Sequence, residues 1–241
     1  PTLSREEKKR LLEITRDCSG GLPLVVGCGS NSLAATLENI SLVEKDADAL
    51  LVVVPFYNKP TQEGQYQYFK AVSEATDLPI VMYNVPGRTG VNMSAETCLR
   101  LAKDCPNIIA TKEASGNYSQ VSDILRSAPE GFSVLSGDDD MTLAFMATGA
   151  RGVISVASNI APAEVSGLVA SMLSGDIDSA RALHHCLSPL FKACFVESNP
   201  IPAKAAMAVL GLMKEDVRLP LVKASDSTKK LMSQILATLW K

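Results

Sequence analysis

The sequence predicts an α/β fold in which repeated strand–helix units build a parallel β-sheet. Short apolar segments alternate with helix-length amphipathic segments up to about residue 160, and residues 161–241 have a helical pattern. Such alternation is typical of parallel strands joined by crossover helices. We therefore predict a β/α barrel region over residues 1–160, and the last barrel helix with C-terminal helices over residues 161–241.

The first predicted element is a helix, because Ser4-Arg5-Glu6-Glu7 matches a capping box that satisfies the first backbone amides of a helix. Apolar segments of strand length then follow, each separated from the next by a helix-length segment. There are six of them, at residues 22–27, 49–54, 78–83, 107–112, 131–135 and 152–156.

A barrel of strand–helix units requires eight strands, which is more than these segments supply. An open doubly wound sheet is the structural alternative, since such a sheet is complete with fewer strands. The sequence contains no GxGxxG motif and no P-loop, so motifs do not support a nucleotide-binding open sheet. We predict an α/β fold of the (β/α)8 TIM barrel type with a C-terminal helical extension, whose first two strands are absent from this chain.

The composition argues against several classes of partner. A formal net charge of -3 indicates no basic surface for nucleic acid or an anionic membrane. Gly, Pro or charged residues interrupt every apolar run before it could cross a bilayer. The six cysteines form no CxxC pair, so we expect reduced thiols, a cytoplasmic location and no metal site.

Lys112 ends the fourth apolar segment and is the first candidate for chemistry. Burying a lysine at the end of a strand costs free energy unless its amine has a task. Desolvation lowers the pKa of an amine, and a neutral amine can attack a ketone to form a Schiff base. The alternative interpretation is a lysine whose stem lies on the protein and whose ammonium reaches water.

Other polar residues follow neighbouring strands where a β/α barrel carries its active site, at the C-terminal strand ends. A Schiff-base enzyme for a keto acid needs an amine, a proton shuttle and a carboxylate anchor, and Lys112, Tyr83 and Arg88 fit these roles. The alternatives are a tyrosine that covers the core with its hydroxyl in water and an arginine that is solvated in a loop.

Four segments form a series along the chain: PFYNKPTQEG at residues 55–64, YNVPGRTG at 83–90, KEASG at 112–116 and SGDD at 136–139. In order and spacing, the series resembles the motifs of the dihydrodipicolinate synthase family. That family belongs to the pyruvate-dependent class I aldolases, which also include N-acetylneuraminate lyase. The resemblance extends from residue 1 nearly to residue 241, and Arg88 in its YNVPGRTG setting favours the synthases over the lyase and the sugar-acid aldolases.

The resemblance implies a role for each matching residue. Lys112 would form the Schiff base with pyruvate, and Tyr83 would move protons during its formation and the condensation. Arg88 would help to hold the carboxylate of L-aspartate 4-semialdehyde. Gly137 and Ile154 match positions whose backbone lines the pyruvate pocket.

The resemblance also implies an assembly. Tyr57 matches an aromatic residue that reaches across a tight dimer interface into the proton relay of the neighbouring subunit. The implied oligomer is a homotetramer built from two such dimers. Neither a metal nor an organic cofactor is expected, and the implied substrates are pyruvate and L-aspartate 4-semialdehyde.

The N-terminal region departs from the family pattern. Family members carry a strand, a helix and a second strand ending in Gly-Thr-Thr-Gly-Glu before the helix that opens here. One threonine of that motif bonds to the relay tyrosine in family members. We therefore expect a longer polypeptide behind residues 1–241, with a truncation and a degenerate paralogue as alternatives.

Three functions are compatible with these residues. The first is an enzyme that condenses pyruvate with L-aspartate 4-semialdehyde to 4-hydroxy-tetrahydrodipicolinate, in lysine and diaminopimelate biosynthesis. The second is another pyruvate-dependent aldolase, acting on a sugar acid. The third is a non-catalytic subunit, although the presence of Tyr57, Tyr83, Arg88 and Lys112 together argues against loss of activity.

We expect weak or no inhibition by lysine. In family members that lysine inhibits, an aromatic hydroxyl and a glutamate help to bind the effector, and the matching positions here are Phe56 and Ala35. Without the glutamate, the ammonium of the effector would be left unpaired in a partly buried cleft. An activity assay at rising lysine concentration checks this expectation, and strong inhibition at sub-millimolar lysine would contradict it.

Overall fold

The computed structural model describes residues 2–240, which form two compact units. One unit comprises the residues up to 135 together with 148–150, and the other comprises residues 136–147 and those from 151 onward. The predicted division after residue 160, which follows the change from strands to helices, stays a prediction.

The strands lie close to the apolar segments that predicted them. They are β1 (Val25–Gly27), β2 (Ala49–Val53), β3 (Ile80–Asn84), β4 (Ile108–Glu113), β5 (Ser133–Ser136) and β6 (Gly152–Val153).

The helices occupy the amphipathic segments between and after the strands. They are α1 (Arg5–Cys18), α2 (Leu33–Val43), α3 (Gln62–Glu74), α4 (Pro86–Thr89), α5 (Ala95–Asp104), α6 (Tyr118–Ser127), α7 (Thr142–Ala147), α8 (Pro162–Ser174), α9 (Ile177–Ala193), α10 (Ile201–Val209) and α11 (Asp226–Leu239).

The strands follow one another in the sheet in the order of the chain. The pairs β1–β2, β2–β3 and β3–β4 are parallel, as expected for strands joined by crossover helices. The pairing of β3 with β4 contains one irregularity, because Ile80 pairs with Ile108 while Val81 pairs with Ala110. Ile109 is therefore passed over in the pairing, and this residue is a β-bulge.

The sheet confirms the α/β class and differs from the predicted barrel in strand number. Residues 2–240 contain six strands in one sheet, whereas a closed barrel of strand–helix units needs eight. The apolar segments therefore predicted the number of strands within residues 2–240 correctly. The eight-stranded barrel depends on two further strands and stays a prediction.

The capping box predicted at the first helix is present. The side chain of Ser4 accepts a hydrogen bond from the backbone N–H of Glu7, and the Glu7 carboxylate accepts one from the backbone N–H of Ser4. Two backbone donors that the first turn leaves unpaired are thus satisfied by side chains, which fixes the start of α1.

Each unit has its own apolar core. In the first unit, the strand residues Leu50 and Met82 and the helix residues Phe69, Leu101 and Ile124 are all fully buried. In the second unit, buried side chains of α8, α9, α10 and α11 form one apolar cluster. It includes Leu187, Leu190, Phe191 and Met232. Burial of such side chains is the main favourable term in folding.

The cysteines are free thiols, and Cys18 and Cys186 alone are exposed. Burial raises the pKa of the Cys28 and Cys194 thiols to about 12, so both stay protonated at neutral pH. No helix within residues 2–240 combines the length and the apolar character that crossing a bilayer requires.

Gly29, two residues after β1, is a point of close backbone approach. A Cβ atom at this position would lie 2.5 Å from the backbone nitrogen of Val53 in β2. The Gly29→Ala variant must therefore displace backbone, and we expect the free energy of unfolding to fall by about 1–3 kcal/mol.

Gly27 provides the matched control, because a Cβ atom there would meet nothing within 4 Å. Urea denaturation of Gly29→Ala and Gly27→Ala checks the expectation. Equal stability of the two variants would show that the contact with β2 does not constrain this turn.

Candidate active site

Lys112 and Tyr83 lie opposite each other on neighbouring strands. The register of β3 and β4 pairs Tyr83 with Lys112, and directly paired residues project from the same face of a sheet. The Nζ atom of Lys112 lies 4.2 Å from the centroid of the Tyr83 ring. Lys112 is 9% exposed, so the lysine is buried at its strand end and does not extend into water.

This pair combines two chemical functions at one point of the sheet. A buried amine without a proton is a nucleophile towards a carbonyl carbon, and the product is a Schiff base. A protonated amine or iminium in the same place is attracted by the electron-rich face of the tyrosine ring. The phenol of Tyr83 adds a group that can donate and accept a proton.

The next residues of the two strands, Asn84 and Glu113, are also paired with each other. The Nδ2 atom of Asn84 lies 3.1 and 3.2 Å from the two carboxylate oxygens of Glu113. The backbone N–H of Ser115 and the side-chain amide of Gln120 donate to the same carboxylate, at 2.9 and 3.3 Å. Burial raises the pKa of Glu113 above its ordinary value, while these hydrogen bonds act in the opposite direction.

Arg88 lies on α4, a helix of a single turn that begins directly after β3. Pro86 occupies its first position, and Gly90 ends it in the left-handed conformation with φ 75°, which glycine adopts without strain. Thr89 is buried, and its hydroxyl donates to the carbonyl oxygens of Val85 and Val91. The Arg88 side chain is exposed, so a rigid turn presents a solvated guanidinium next to the end of β3.

Tyr57 lies in the segment between β2 and α3, beside the Arg88 turn. Its backbone N–H donates to the carbonyl oxygen of Thr89 at 3.2 Å, and its side chain is 87% exposed. Tyr57 and Lys59 both have positive φ, at 68° and 47°, which is uncommon for residues other than glycine. Between them, Asn58 is held by hydrogen bonds with Asn31.

Gly137 and Ile154 belong to the second unit, just after β5 and β6. The backbone N–H of Ile154 donates to the carbonyl oxygen of Ser136 at 2.9 Å, which makes Gly137 and Ile154 close neighbours. Asp139 fixes the residues beyond Ile154, because its Oδ2 atom accepts from the backbone N–H groups of Val156 and Ala157 at 3.0 Å each.

Residues 2–240 contain no group of three or more His, Cys, Asp or Glu side chains placed to hold a metal ion. The carboxylate of Glu113, the residue after Lys112, accepts hydrogen bonds from amide N–H groups. Reaction without a cofactor stays a prediction.

Comparison with known proteins decides the family. The model of the dihydrodipicolinate synthetase family matches residues 1–239. The chain belongs to the dihydrodipicolinate synthetase family.

Relatives and solved structures agree with this assignment. The 4-hydroxy-tetrahydrodipicolinate synthase of Thermosipho melanesiensis is 48% identical over 98% of this chain and 82% of its own length. The crystal structure of dihydrodipicolinate synthase from Thermotoga maritima covers 100% of this chain and 83% of its own, with a TM-score of 0.97 and 44% identity. A chloride-inhibited synthase from Acinetobacter baumannii, solved in complex with pyruvate, has a TM-score of 0.95 and 39% identity over 99% of this chain and 82% of its own.

Membership of the dihydrodipicolinate synthetase family confirms that the chain is an enzyme of the lyase class, and it favours the synthase over the sugar-acid aldolase and the non-catalytic subunit. The α/β fold of the family is confirmed as well. The roles of the individual site residues are a separate matter and follow below as proposals.

Three polar residues in the family motifs received no role from the sequence, namely Asn84, Glu113 and Asp139. Asn84 and Glu113 are each 1% exposed, and Asp139 is 3% exposed. One signal for Glu113 was available in the sequence, namely an acid directly after a lysine at the end of an apolar strand. Two adjacent side chains of a strand face opposite sides of the sheet, so the acid needs a polar partner on the face opposite to the lysine. Only the register of β3 and β4 shows that Asn84 is the partner of Glu113.

Replacing Asp139 should destabilise the protein. The Asp139→Ala variant leaves the buried backbone N–H group of Ala157 and the partly buried one of Val156 without their acceptor, and we expect a loss of about 2–4 kcal/mol in the free energy of unfolding. Urea denaturation measures the loss. Asp140→Ala, at an exposed position in the same turn, is the control and should change stability by less than about 0.5 kcal/mol; equal losses would contradict the assignment.

Proposed function

We propose that this enzyme condenses pyruvate with L-aspartate 4-semialdehyde to give 4-hydroxy-tetrahydrodipicolinate, through a Schiff base on Lys112. The observation that carries the proposal is the Lys112–Tyr83 pair, in which a buried amine lies 4.2 Å from the centroid of a tyrosine ring. The relative from Acinetobacter baumannii that was solved with pyruvate supports pyruvate as the first substrate.

The chemistry follows from the groups of the pair. The neutral amine of Lys112 adds to the keto carbon of pyruvate, and the oxygen leaves as water after it has taken up protons. Tyr83 supplies and recovers these protons, because a phenol can act as donor and acceptor in turn. The iminium withdraws electrons from the methyl group, which loses a proton to give an enamine. The enamine carbon attacks the aldehyde carbon of the second substrate, the new alkoxide takes up a proton, and the iminium on Lys112 is restored. The amino group of the second substrate then attacks the iminium carbon, and the bond from that carbon to the Lys112 nitrogen breaks, which releases the cyclic product and the free amine.

Arg88 is the proposed anchor for the carboxylate of L-aspartate 4-semialdehyde. Its guanidinium offers a planar set of donors that matches a carboxylate in two parallel hydrogen bonds. Its exposure beside the end of β3 suits a group that meets an incoming anionic substrate. The backbone at Gly137 and Ile154 is proposed to line the pyruvate pocket.

Tyr57 is proposed to act in a neighbouring copy of the chain. A tyrosine that is 87% exposed, on a segment with two left-handed residues, is held in a defined position without a core to pack against. Such a side chain suits contact with a second copy, so we propose a homotetramer formed by two dimers.

Two further features complete the proposal. The six strands are proposed to be part of an eight-stranded barrel, as the resemblance to the family implies. A cytoplasmic location is supported by the free cysteines, since unpaired thiols are usual in a reducing compartment.

Borohydride trapping tests the proposal directly. Incubation with pyruvate and sodium borohydride should reduce the Schiff base and leave a pyruvyl adduct, which peptide mapping by mass spectrometry should place on Lys112. Tyr83→Phe keeps the ring and removes the hydroxyl, so it should slow the trapping by about 10²- to 10⁴-fold. No adduct in folded wild-type protein, or an adduct on another lysine, would contradict the proposal.

A further inference from the structure

Tyr83 and Lys112 are paired near the C-terminal ends of β3 and β4. The register at the N-terminal ends of these strands does not determine that pairing. The bulge at Ile109 separates the first pair, Ile80 with Ile108, from all later pairs. A bulge adds a residue to one strand and so changes the register beyond it. A shift by one residue would turn Lys112 towards the opposite face of the sheet. The register at the C-terminal end therefore depends on interactions found there.

Asn84 and Glu113 supply such an interaction one residue beyond the Tyr83–Lys112 pair. Side chains alternate between the two faces of a strand, so these residues project from the face opposite to Tyr83 and Lys112. Their side chains bond to each other at 3.1 and 3.2 Å. The backbone bond from the Ala114 N–H to the Asn84 carbonyl oxygen, at 2.9 Å, follows on the same strands.

Asn84 and Glu113 differ in the hydrogen bonds that they make with the surrounding groups. Asn84 accepts from the backbone N–H of Met93 at 3.0 Å and donates to the Asn92 side chain at 2.8 Å. Glu113 accepts from Asn84, Ser115 and Gln120. Each described contact of this carboxylate is thus with an N–H donor, which an amide in its place could satisfy only in part.

We propose that Asn84 and Glu113 are positioning residues that hold the ends of β3 and β4 in the register required by Tyr83 and Lys112. They act through the two strands and do not themselves contact the substrate. This inference rests on the proposed function, because it assigns a purpose to the spacing of the Schiff-base lysine and its tyrosine.

The Asn84→Asp variant tests this inference with almost no change in shape. It replaces the donor that faces Glu113 with an acceptor and sets two buried carboxyl groups against each other. Misplacement of reacting groups by about 1 Å costs on the order of 100-fold in rate. We therefore expect the rate of borohydride trapping at saturating pyruvate to fall by about 10- to 100-fold.

Asn107→Asp is the matched control. Asn107 precedes β4 at its opposite end, and its Nδ2 atom donates to the backbone oxygens of Ser73 and Thr76 at 3.1 and 2.8 Å. The control thus removes side-chain hydrogen bonds just before the opposite end of the same strand. We expect Asn107→Asp to lose thermal stability as well, but to keep an unchanged trapping rate.

The pH dependence separates positioning from general loss of stability. Two facing carboxyl groups can share a proton, and each raises the pKa of the other. At low pH the shared proton restores a link between residues 84 and 113, and the link is lost as the pH rises. The trapping defect of Asn84→Asp, relative to wild type, should therefore grow between about pH 6 and pH 9.

The other titratable neighbours do not reverse this expectation. The Cys98 thiol on α5 has a raised pKa because of burial and, secondarily, the charge of Glu113, so it stays neutral in this range. Lys112 projects from the opposite face and is common to all variants. The double variant Asn84→Asp, Glu113→Gln should remove the added pH dependence, since the glutamine amide can donate to the aspartate.

The outcomes distinguish the inference from the proposed function. If wild-type protein forms no adduct on Lys112, the proposed function fails. If wild type forms the adduct and Asn84→Asp is trapped as fast as Asn107→Asp over the whole pH range, the positioning inference is overturned. If Asn84→Asp does not fold, Asn84→Ala decides, because it removes the donor without adding a charge. Trapping at least tenfold slower than in Asn107→Asp supports the inference, and an equal rate overturns it.

Discussion

The pairing of β3 with β4 is the constraint on which the candidate site depends. Their register sets Tyr83 against Lys112 on one face and Asn84 against Glu113 on the other. Neither pair could form in a register shifted by one residue, because every side chain would change face. The sheet therefore does more than carry the apolar core of its unit: its hydrogen-bond ladder determines which polar groups meet.

The two faces of this strand pair differ in the charged group that they carry and in what stabilises it. On one face, an amine lies against an aromatic ring that tolerates both its neutral and its charged form. On the other face, a buried carboxylate is compensated by N–H dipoles from Asn84, Ser115 and Gln120. The charge of this carboxylate is therefore compensated by neutral donors on its own face of the strand pair.

Sequence patterns predicted the strands well, because strands depend on local composition. Apolar segments of strand length predicted β2 and β4 to within one residue at each end, and the capping box predicted the start of α1. The sequence could not show the bulge at Ile109 or the pairing of Asn84 with Glu113, because register is a property of two segments that are distant in the chain. The buried state of Asp139 was also missed, since acids at a helix start are usually exposed and Asp139 instead serves backbone donors of a later segment.

The turn that carries Arg88 has a consequence for the thermodynamics of anion binding. Pro86 restricts the backbone at its start, Gly90 reverses it at its end, and the buried hydroxyl of Thr89 ties its interior to Val85 and Val91. A loop with so few alternative conformations has already lost most of its backbone entropy before any ligand arrives. Capture of an anion by Arg88 would then immobilise one side chain rather than a whole segment, and more of the electrostatic attraction would remain as net affinity.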